Sequence, residues 1–480
     1  MFERRLAPVE ILSEASLLAL ERGWQRLVSE IGIQFQHEGV LELFRAAGQR
    51  VEDDVVRFDP EWVLEQIGKV PGSFELRGRG SSLQFAPDRM AFCACQSAPF
   101  VRDAGLRRNA TLDDFRNFVR LTQVIDELDT PGYPICEPAD LDVETRHLDL
   151  QLLLATETDK PYAAAQFDPV GCSDSIAMSA IVHGGLDVLR ENPALFGVIN
   201  ANSPLRFDGR MLDSLLVLAE ARQVVVVTPF ILMGAMGPVS VAASLAQQTA
   251  EALTGVALAQ LVSPGCPVVM GSFVSHSNMQ SGSPGFGGPE SAIGLLASGQ
   301  IARRYGLLWR SGGGALTSSQ TPDSQAAFES LNTMLPAFLA GANLVMHTAG
   351  WLDSGLVACY EKFLLDVEAL RILQLELVPL EINDETLAFG AHEEVGHGGY
   401  FFGAAHTLER FRECFYRPMI FSTEGFDRWR NNGALDAEAR AGARWRSLIE
   451  GYEPPPLDDA IREELGEYVE RRRPALIADA

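Results

Sequence analysis

Apolar residues in this chain fall into two alternating rhythms. Short runs with little polar interruption are Tyr133–Cys136, Tyr162–Phe167, Leu195–Asn200, Val224–Phe230, Pro267–Phe273, Leu307–Trp309 and Asn343–His347. Their length and fill suit strands buried on both faces. Stretches of helical spacing separate them, and the runs recur roughly every 30 to 40 residues, the spacing of successive β/α units on a parallel sheet. Seven such runs invite an eighth and closure. The fold class read from this rhythm is α/β, a (β/α)8 barrel of TIM type with an N-terminal mixed helical cap and C-terminal helices. Met90–Ala98 or part of Leu375–Ile382 is the candidate eighth strand. An open doubly wound sheet is the other arrangement, but no G-x-G-x-x-G follows the first strand.

The flanks read differently. Ala15–Ile31 places apolar residues at helical spacing, Gly39–Gly48 is a second helix ended by glycine, and Val51–Phe58 is a hairpin around the acidic turn Asp53-Asp54. Asp59-Pro60 starts a third helix through Ile67. Past His347, Ser354–Leu375 and Thr407–Phe415 carry helical stripes, Tyr452–Pro456 is a stiff linker, and Asp458–Arg473 is a charged terminal helix. These patterns divide the chain into a mixed cap (1–90), the barrel (91–405) and a C-terminal helical segment packed on it (406–480).

One step of the barrel stands out. Leu307-Leu308-Trp309 is a strand, Gly312–Gly314 a tight loop, and Thr321-Pro322-Asp323 a helix start with Thr321 as the cap. In β/α folds such loops lie on the side that carries the site.

Composition narrows the function classes. A net charge of −25 disfavours nucleic acid and anionic membrane surfaces and suits a cationic ligand. Between Arg222 and Glu290 the only formal charge is Glu251, yet prolines and glycines cut that stretch into pieces too short for a membrane span. It reads as the deepest part of a core. Seven cysteines without a CxxC fit reduced thiols, and the first ten residues lack the apolar run of a signal peptide, so a cytoplasmic protein is expected.

Several familiar chemistries are absent. His392 and His397 are five apart, not four, and Gly396, Gly398 and Gly399 break the helix a zinc protease needs. No lysine accompanies Gly312–Gly314 in a P-loop pattern, and no G-x-S-x-G elbow occurs. What remains is a set of aromatic and imidazole side chains at strand ends: Tyr133, Phe167, Phe230, Phe273, His276, Trp309 and His347. In a barrel these positions ring one mouth. Aromatic faces in an acidic protein suit a quaternary or tertiary ammonium group.

Gly312–Thr317 with Pro322–Ala327 and Glu329 resembles the signature of the trimethylamine methyltransferase (MttB-type) family. The resemblance extends, in the family's order, through Ser203-Pro204-Leu205, Pro238-Val239-Ser240 with Glu251, Gln260–Gly265, Gly288–Ala292, Val395–Gly399 with His406-Thr407-Leu408, and Trp429–Gly433. It implies a barrel enzyme that passes a methyl group from a methylamine to the cobalt of a separate corrinoid protein. Archaeal trimethylamine enzymes of that family carry pyrrolysine, whereas every position here is a standard residue. Relatives without pyrrolysine include demethylases of quaternary amines such as glycine betaine. Ser318-Ser319-Gln320 stands where the family commonly has Asp-x-Lys.

The expected site follows. Tyr133, Phe230, Phe273, His276, Glu290, Trp309 and His347 form the substrate pocket, with His276 or His347 available to a substrate carboxylate; no residue is assigned a catalytic role. Gly312, Gly313, Gly314, His397, Gly398 and Gly399 are expected to meet the corrinoid protein, together with Gly287-Gly288. This chain binds no cofactor tightly and no metal; its partners are a small cationic amine, the corrinoid protein and further copies of itself. Two other readings remain: transfer from another methyl donor, and a non-catalytic amine-binding subunit.

Overall fold

The structure, a computed structural model, describes residues 1–479. Seven parallel strands carry the barrel: β1 (Arg89–Phe92), β2 (Tyr162–Ala163), β3 (Leu195–Ala201), β4 (Val224–Met233), β5 (Val268–Ser277), β6 (Trp309–Ser311) and β7 (Leu344–Val345). They pair in the order β2-β3-β4-β5-β6-β7-β1. The remaining gap is closed by residues 130–136, where Cys93 bridges Thr130, Ala98 bridges Cys136, and Ala163 N–H donates to Gly132 O at 3.5 Å. The barrel is thus complete, and the stave that the sequence left open is Met90–Ala98. Leu375–Ile382 instead leaves the end of helix Tyr360–Glu376 and is largely exposed.

The nearly chargeless stretch is interior, as its composition indicated. Strands β4 and β5 are buried almost throughout. In helix Val241–Val262 between them, every residue from Ser244 to Gln260 is buried. A helix hydrophobic on all sides needs a second cover, and the N-terminal helices Glu14–Arg26 and Pro60–Ile67 supply it. The Trp24 indole N–H donates to the Tyr305 hydroxyl at 2.7 Å, fastening this cap to the barrel.

Within the cap, Arg50–Glu52 and Val55–Arg57 form the expected hairpin, with Asp53 in the left-handed region at φ 53°. Ile33–Phe35 joins the hairpin on one side and pairs with Arg206–Phe207 on the other, so a segment following β3 is stitched into the cap's sheet. Asp59 caps Pro60–Ile67 by accepting from Glu61 N–H at 3.0 Å.

A small four-stranded sheet sits where barrel strands end: Phe100–Asp103, Leu106–Asn109, Trp351–Leu352 and Val357–Cys359. The helix expected over Ser354–Leu375 therefore begins only at Tyr360, because Asp353 and Ser354 are left-handed and a short strand follows. Two buried groups brace this end. Lys362 pairs with Asp366 at 2.6 Å and donates to Ala315 O at 3.2 Å, and Asp366 accepts Gly350 N–H at 2.8 Å.

Beyond Glu376 the chain forms short helices that return to the body at Glu368, which accepts Met419 N–H at 2.8 Å and Ile420 N–H at 2.6 Å. Helix Ala437–Glu450 packs on Tyr360–Glu376, with Tyr360 and Trp445 stacked at 4.2 Å. The last helix, Asp459–Asp479, is held by Tyr468, whose hydroxyl donates to Asp174 at 2.6 Å. No helix among the described residues is long and apolar enough to cross a membrane.

Candidate active site at the barrel mouth

A cavity of about 440 Å³ opens at the C-terminal ends of the strands. Each barrel stave contributes to it: Gln96 and Ser97, Tyr133, Gln166 and Phe167, Val198 and Asn200, Thr228 and Phe230, Phe273, Arg310, and Met346 with His347. Trp351 from the satellite sheet completes the lining. Rings form a continuous wall. Phe230 meets Phe273 at 4.6 Å, Phe273 meets Phe286 at 5.1 Å, Phe286 stacks on Trp351 at 6.2 Å, and Trp351 stacks on His347 at 3.7 Å.

Strand alternation decides which residues of β6 reach this space. Trp309 faces the outer helix Pro289–Arg304, where a methyl group on Gly299 would lie 3.0 Å from its ring, and its indole N–H donates to Ser272 Oγ at 2.8 Å. Arg310 therefore points inward. The pocket place expected for Trp309 belongs to its neighbour.

Arg310 is only 3% exposed and has no carboxylate partner among the described residues. It donates to Ser272 O at 3.2 Å and to His347 Nε2 at 3.2 Å, and its Nε–H has no protein acceptor. Burial pushes its pKa down to about 10, still cationic at neutral pH. His347 is held neutral: burial first, then the adjacent Arg310, drives its pKa well below the ordinary imidazole value. With Nε2 accepting, its proton sits on Nδ1, which also lacks a protein partner. Gln166 Oε1 and Thr228 Oγ are likewise unpaired, so four cavity-lining residues carry a buried polar atom without a protein partner. Buried polar groups in folded proteins are almost always bonded, so a concentration of this kind fits a polar ligand.

The other expected residues separate into groups. Tyr133, Phe230, Phe273 and His347 line the cavity. His276 and Glu290 do not; they lie together, Nδ1 to Oε2 3.5 Å, with His276 in a neighbouring cleft lined also by Ser318 and Gln320. Ser318-Ser319-Gln320 thus lies outside the cavity. There Thr317 Oγ and Ser318 N–H both donate to Glu329, at 2.6 and 2.8 Å, and Ser319 Oγ donates to Asp323 at 3.0 Å. Asp323, not Thr321, caps helix Ser324–Leu339, accepting from Ala326 N–H at 3.0 Å.

Gly312, Gly313 and Gly314 are buried, so they present no surface to a partner. They are glycines because other groups press on them: a methyl on Gly312 would meet the Phe273 ring at 2.4 Å, and one on Gly314 the His347 carbonyl at 2.4 Å. His397, Gly398 and Gly399 are exposed on the segment beyond the barrel. His392 packs edge-on against Phe401 rather than beside His397.

The sequence reading missed Arg310, Gln96, Trp351 and Glu137. Gln96 accepts from Tyr133 N–H at 2.7 Å and donates to Pro131 O at 2.9 Å, tying β1 to the next stave. Glu137 sits on the cavity lining, paired with Arg146 at 3.0 Å. The available signal for Arg310 was its isolation, since it is the only charged residue between Arg304 and Asp323.

Comparison with known proteins places this geometry. The family described as trimethylamine methyltransferase (MttB) matches residues 1–476. The chain belongs to that family. It is 36% identical over 470 residues to the glycine betaine methyltransferase of Desulfitobacterium hafniense (strain Y51), covering 97% of this chain and 98% of that one. It is 26% identical to the proline betaine:corrinoid methyltransferase of Eubacterium limosum, covering 96% of each. The monomethylamine methyltransferase (MtmB) of Methanosarcina barkeri superposes with a TM-score of 0.54 at 10% identity, over 93% of this chain and 89% of that one, and so shares the fold alone. The barrel expected from the strand rhythm is the fold that this chain shares with that methylamine methyltransferase.

Proposed function

We propose that this chain moves one methyl group from a quaternary, betaine-like amine to the cobalt of a separate corrinoid protein. The observation that carries the reading is the ring wall of Phe230, Phe273 and Trp351 at the barrel mouth, in a protein of net charge −25. Rings attract a desolvated ammonium through their negative faces. The names of the relatives, glycine betaine and proline betaine methyltransferases, support the same chemistry.

A quaternary nitrogen has no lone pair and needs no proton to leave. The N–C bond breaks with its electron pair remaining on nitrogen, and a neutral amine departs. The reduced corrinoid is a co-substrate that supplies the electron pair for the new Co–C bond. What this chain contributes is alignment of N–CH₃ toward the open mouth and exclusion of water from the reacting pair. The neutral His347 agrees with a step that calls for no proton donor.

The partner contact is assigned to the exposed His397–Gly399 loop and its surroundings, because Gly312–Gly314 is buried. That segment also exposes Tyr400, Phe402 and Phe415. Such a patch supports protein–protein contact, including the expected self-association. Purified chain, a cobalt(I) corrinoid protein and glycine betaine, mixed without air, should give the absorbance change of cobalt methylation. Amine binding without that change would contradict the reading.

A further inference from the structure

We propose that Arg310 and His347 bind a carboxylate of the substrate, so that the site selects short zwitterionic betaines over quaternary amines without an acid group. The inference rests on the reading that this cavity takes a quaternary amine, and adds which other group that amine must carry.

The cavity carries an electrostatic imbalance. A guanidinium that is 3% exposed is normally matched by a carboxylate. Arg310 has none among the described residues, and its contacts are a backbone carbonyl and a neutral imidazole. The neighbouring Cys93 is itself buried, and its thiol is held protonated by that burial. The one carboxylate on the cavity lining, Glu137, is paired with Arg146 at 3.0 Å, so no carboxylate among the described residues pairs with Arg310.

The missing charge also has a place to bind. Arg310 Nε–H and His347 Nδ1–H are donors without acceptors on two cavity-lining residues joined by their own hydrogen bond. A carboxylate presents two acceptor oxygens, and arginine is the side chain best shaped to hold one. Opposite chemistry lines the rest of the cavity: the rings of Phe230, Phe273 and Trp351, with Glu137 also in the lining. A ligand satisfying both has an acid at one end and a methylated ammonium at the other. The volume of about 440 Å³ keeps it small.

The same arginine acts against the wrong ligand. A cation lacking an acid would enter a low-dielectric cavity that already holds an uncompensated positive charge, and the repulsion there is poorly screened. Selectivity therefore comes from attraction for one class and repulsion of the other.

Calorimetric titration of the intact chain with three probes tests this. Glycine betaine carries both charges, tetramethylammonium only the cation, and 3,3-dimethylbutyrate only the acid on the same carbon frame. The wild-type chain should bind glycine betaine at least about 30-fold more tightly than tetramethylammonium, and 3,3-dimethylbutyrate should compete with glycine betaine. In Arg310→Gln that preference should shrink to a few-fold, through weaker glycine betaine binding, with tetramethylammonium binding equal or tighter. Equal wild-type affinity for the two amines, or a folded Arg310→Gln that keeps the preference, overturns the assignment. Should the Gln variant not fold, Arg310→Met removes the charge and keeps an unbranched chain of similar length, and an unchanged preference in it counts equally against the proposal. Failure of 3,3-dimethylbutyrate to compete overturns it with no variant at all. Selective glycine betaine binding without methyl transfer would instead contradict the proposed function and leave the carboxylate contact standing.

Discussion

The Arg310 guanidinium donates to Nε2 of His347 at 3.2 Å, from β6 to the residue just past the end of β7, both on the cavity lining. His347 is a left-handed residue, φ 60°, stacked on Trp351 at 3.7 Å. One contact therefore couples the buried cation to the ring wall. It also fixes the imidazole tautomer, because an Nε2 that accepts leaves the proton on Nδ1. The strained backbone is held from outside: His347 O accepts Ala315 N–H at 2.9 Å, beside Gly314.

That packing leads to the first prediction. In Gly314→Ala the new methyl meets the backbone carbonyl of His347, which cannot swing aside as a side chain would. Overpacking of this kind costs about 1–3 kcal/mol. A lowered urea midpoint with impaired amine binding is expected; an unchanged midpoint would show that the loop yields freely.

Trp309 gives the second. Its ring is buried between the barrel and helix Pro289–Arg304, away from the cavity. Trp309→Ala should cost about 3–5 kcal/mol of folding stability. Chemical denaturation checks this. A stable variant that had lost amine affinity would return Trp309 to the pocket.

Phe230 gives the third. It is only partly buried and lines the cavity beside Phe273. Removing the ring in Phe230→Ala should weaken quaternary amine binding by about 0.5–2 kcal/mol, with a smaller effect on folding than Trp309→Ala. Unaltered affinity in calorimetry would remove the ring from the cation's surroundings.

How much of this was visible in the chain depends on which residues carried a pattern. The strand rhythm located the seven runs correctly, because parallel strands buried on both faces must be nearly all apolar. One of them, residues 130–136, joins the barrel through isolated bridges and a 3.5 Å hydrogen bond rather than a regular ladder, and the eighth stave, which the sequence left open between Met90–Ala98 and Leu375–Ile382, is the strand Arg89–Phe92. The site was half legible. Tyr133, Phe230, Phe273 and His347 stand at strand ends and face the cavity. Trp309 and Arg310 are adjacent, and only register tells which one faces inward; with β6 three residues long, the sequence offers no alternation to read. Trp351 could not be placed because it arrives from a separate small sheet.

A pH prediction follows from the histidines. Burial, reinforced by Arg77 and Arg79, lowers His183 to about 4, and burial together with Arg310 holds His347 well below its ordinary 6.5. As pH falls below about 6.5 the unfolded chain takes up these protons before the folded one does. Stability is therefore full above that pH and is lost on acidification, by up to about 1.4 kcal/mol per pH unit for each histidine. His183→Gln should flatten the fall in urea midpoint between pH 6.5 and 4. An identical fall in the variant would show that His183 titrates normally in the folded protein.

Methyl transfer from a quaternary amine can be checked by following the methyl group itself. Glycine betaine bearing deuterated N-methyl groups is incubated, without air, with this chain and a cobalt(I) corrinoid protein, and both products are read by mass spectrometry. One trideuteromethyl group is expected on the corrinoid for each dimethylglycine formed, and neither product when this chain is omitted. Dimethylglycine without label on the corrinoid, or an unchanged amine with glycine betaine bound, would contradict it.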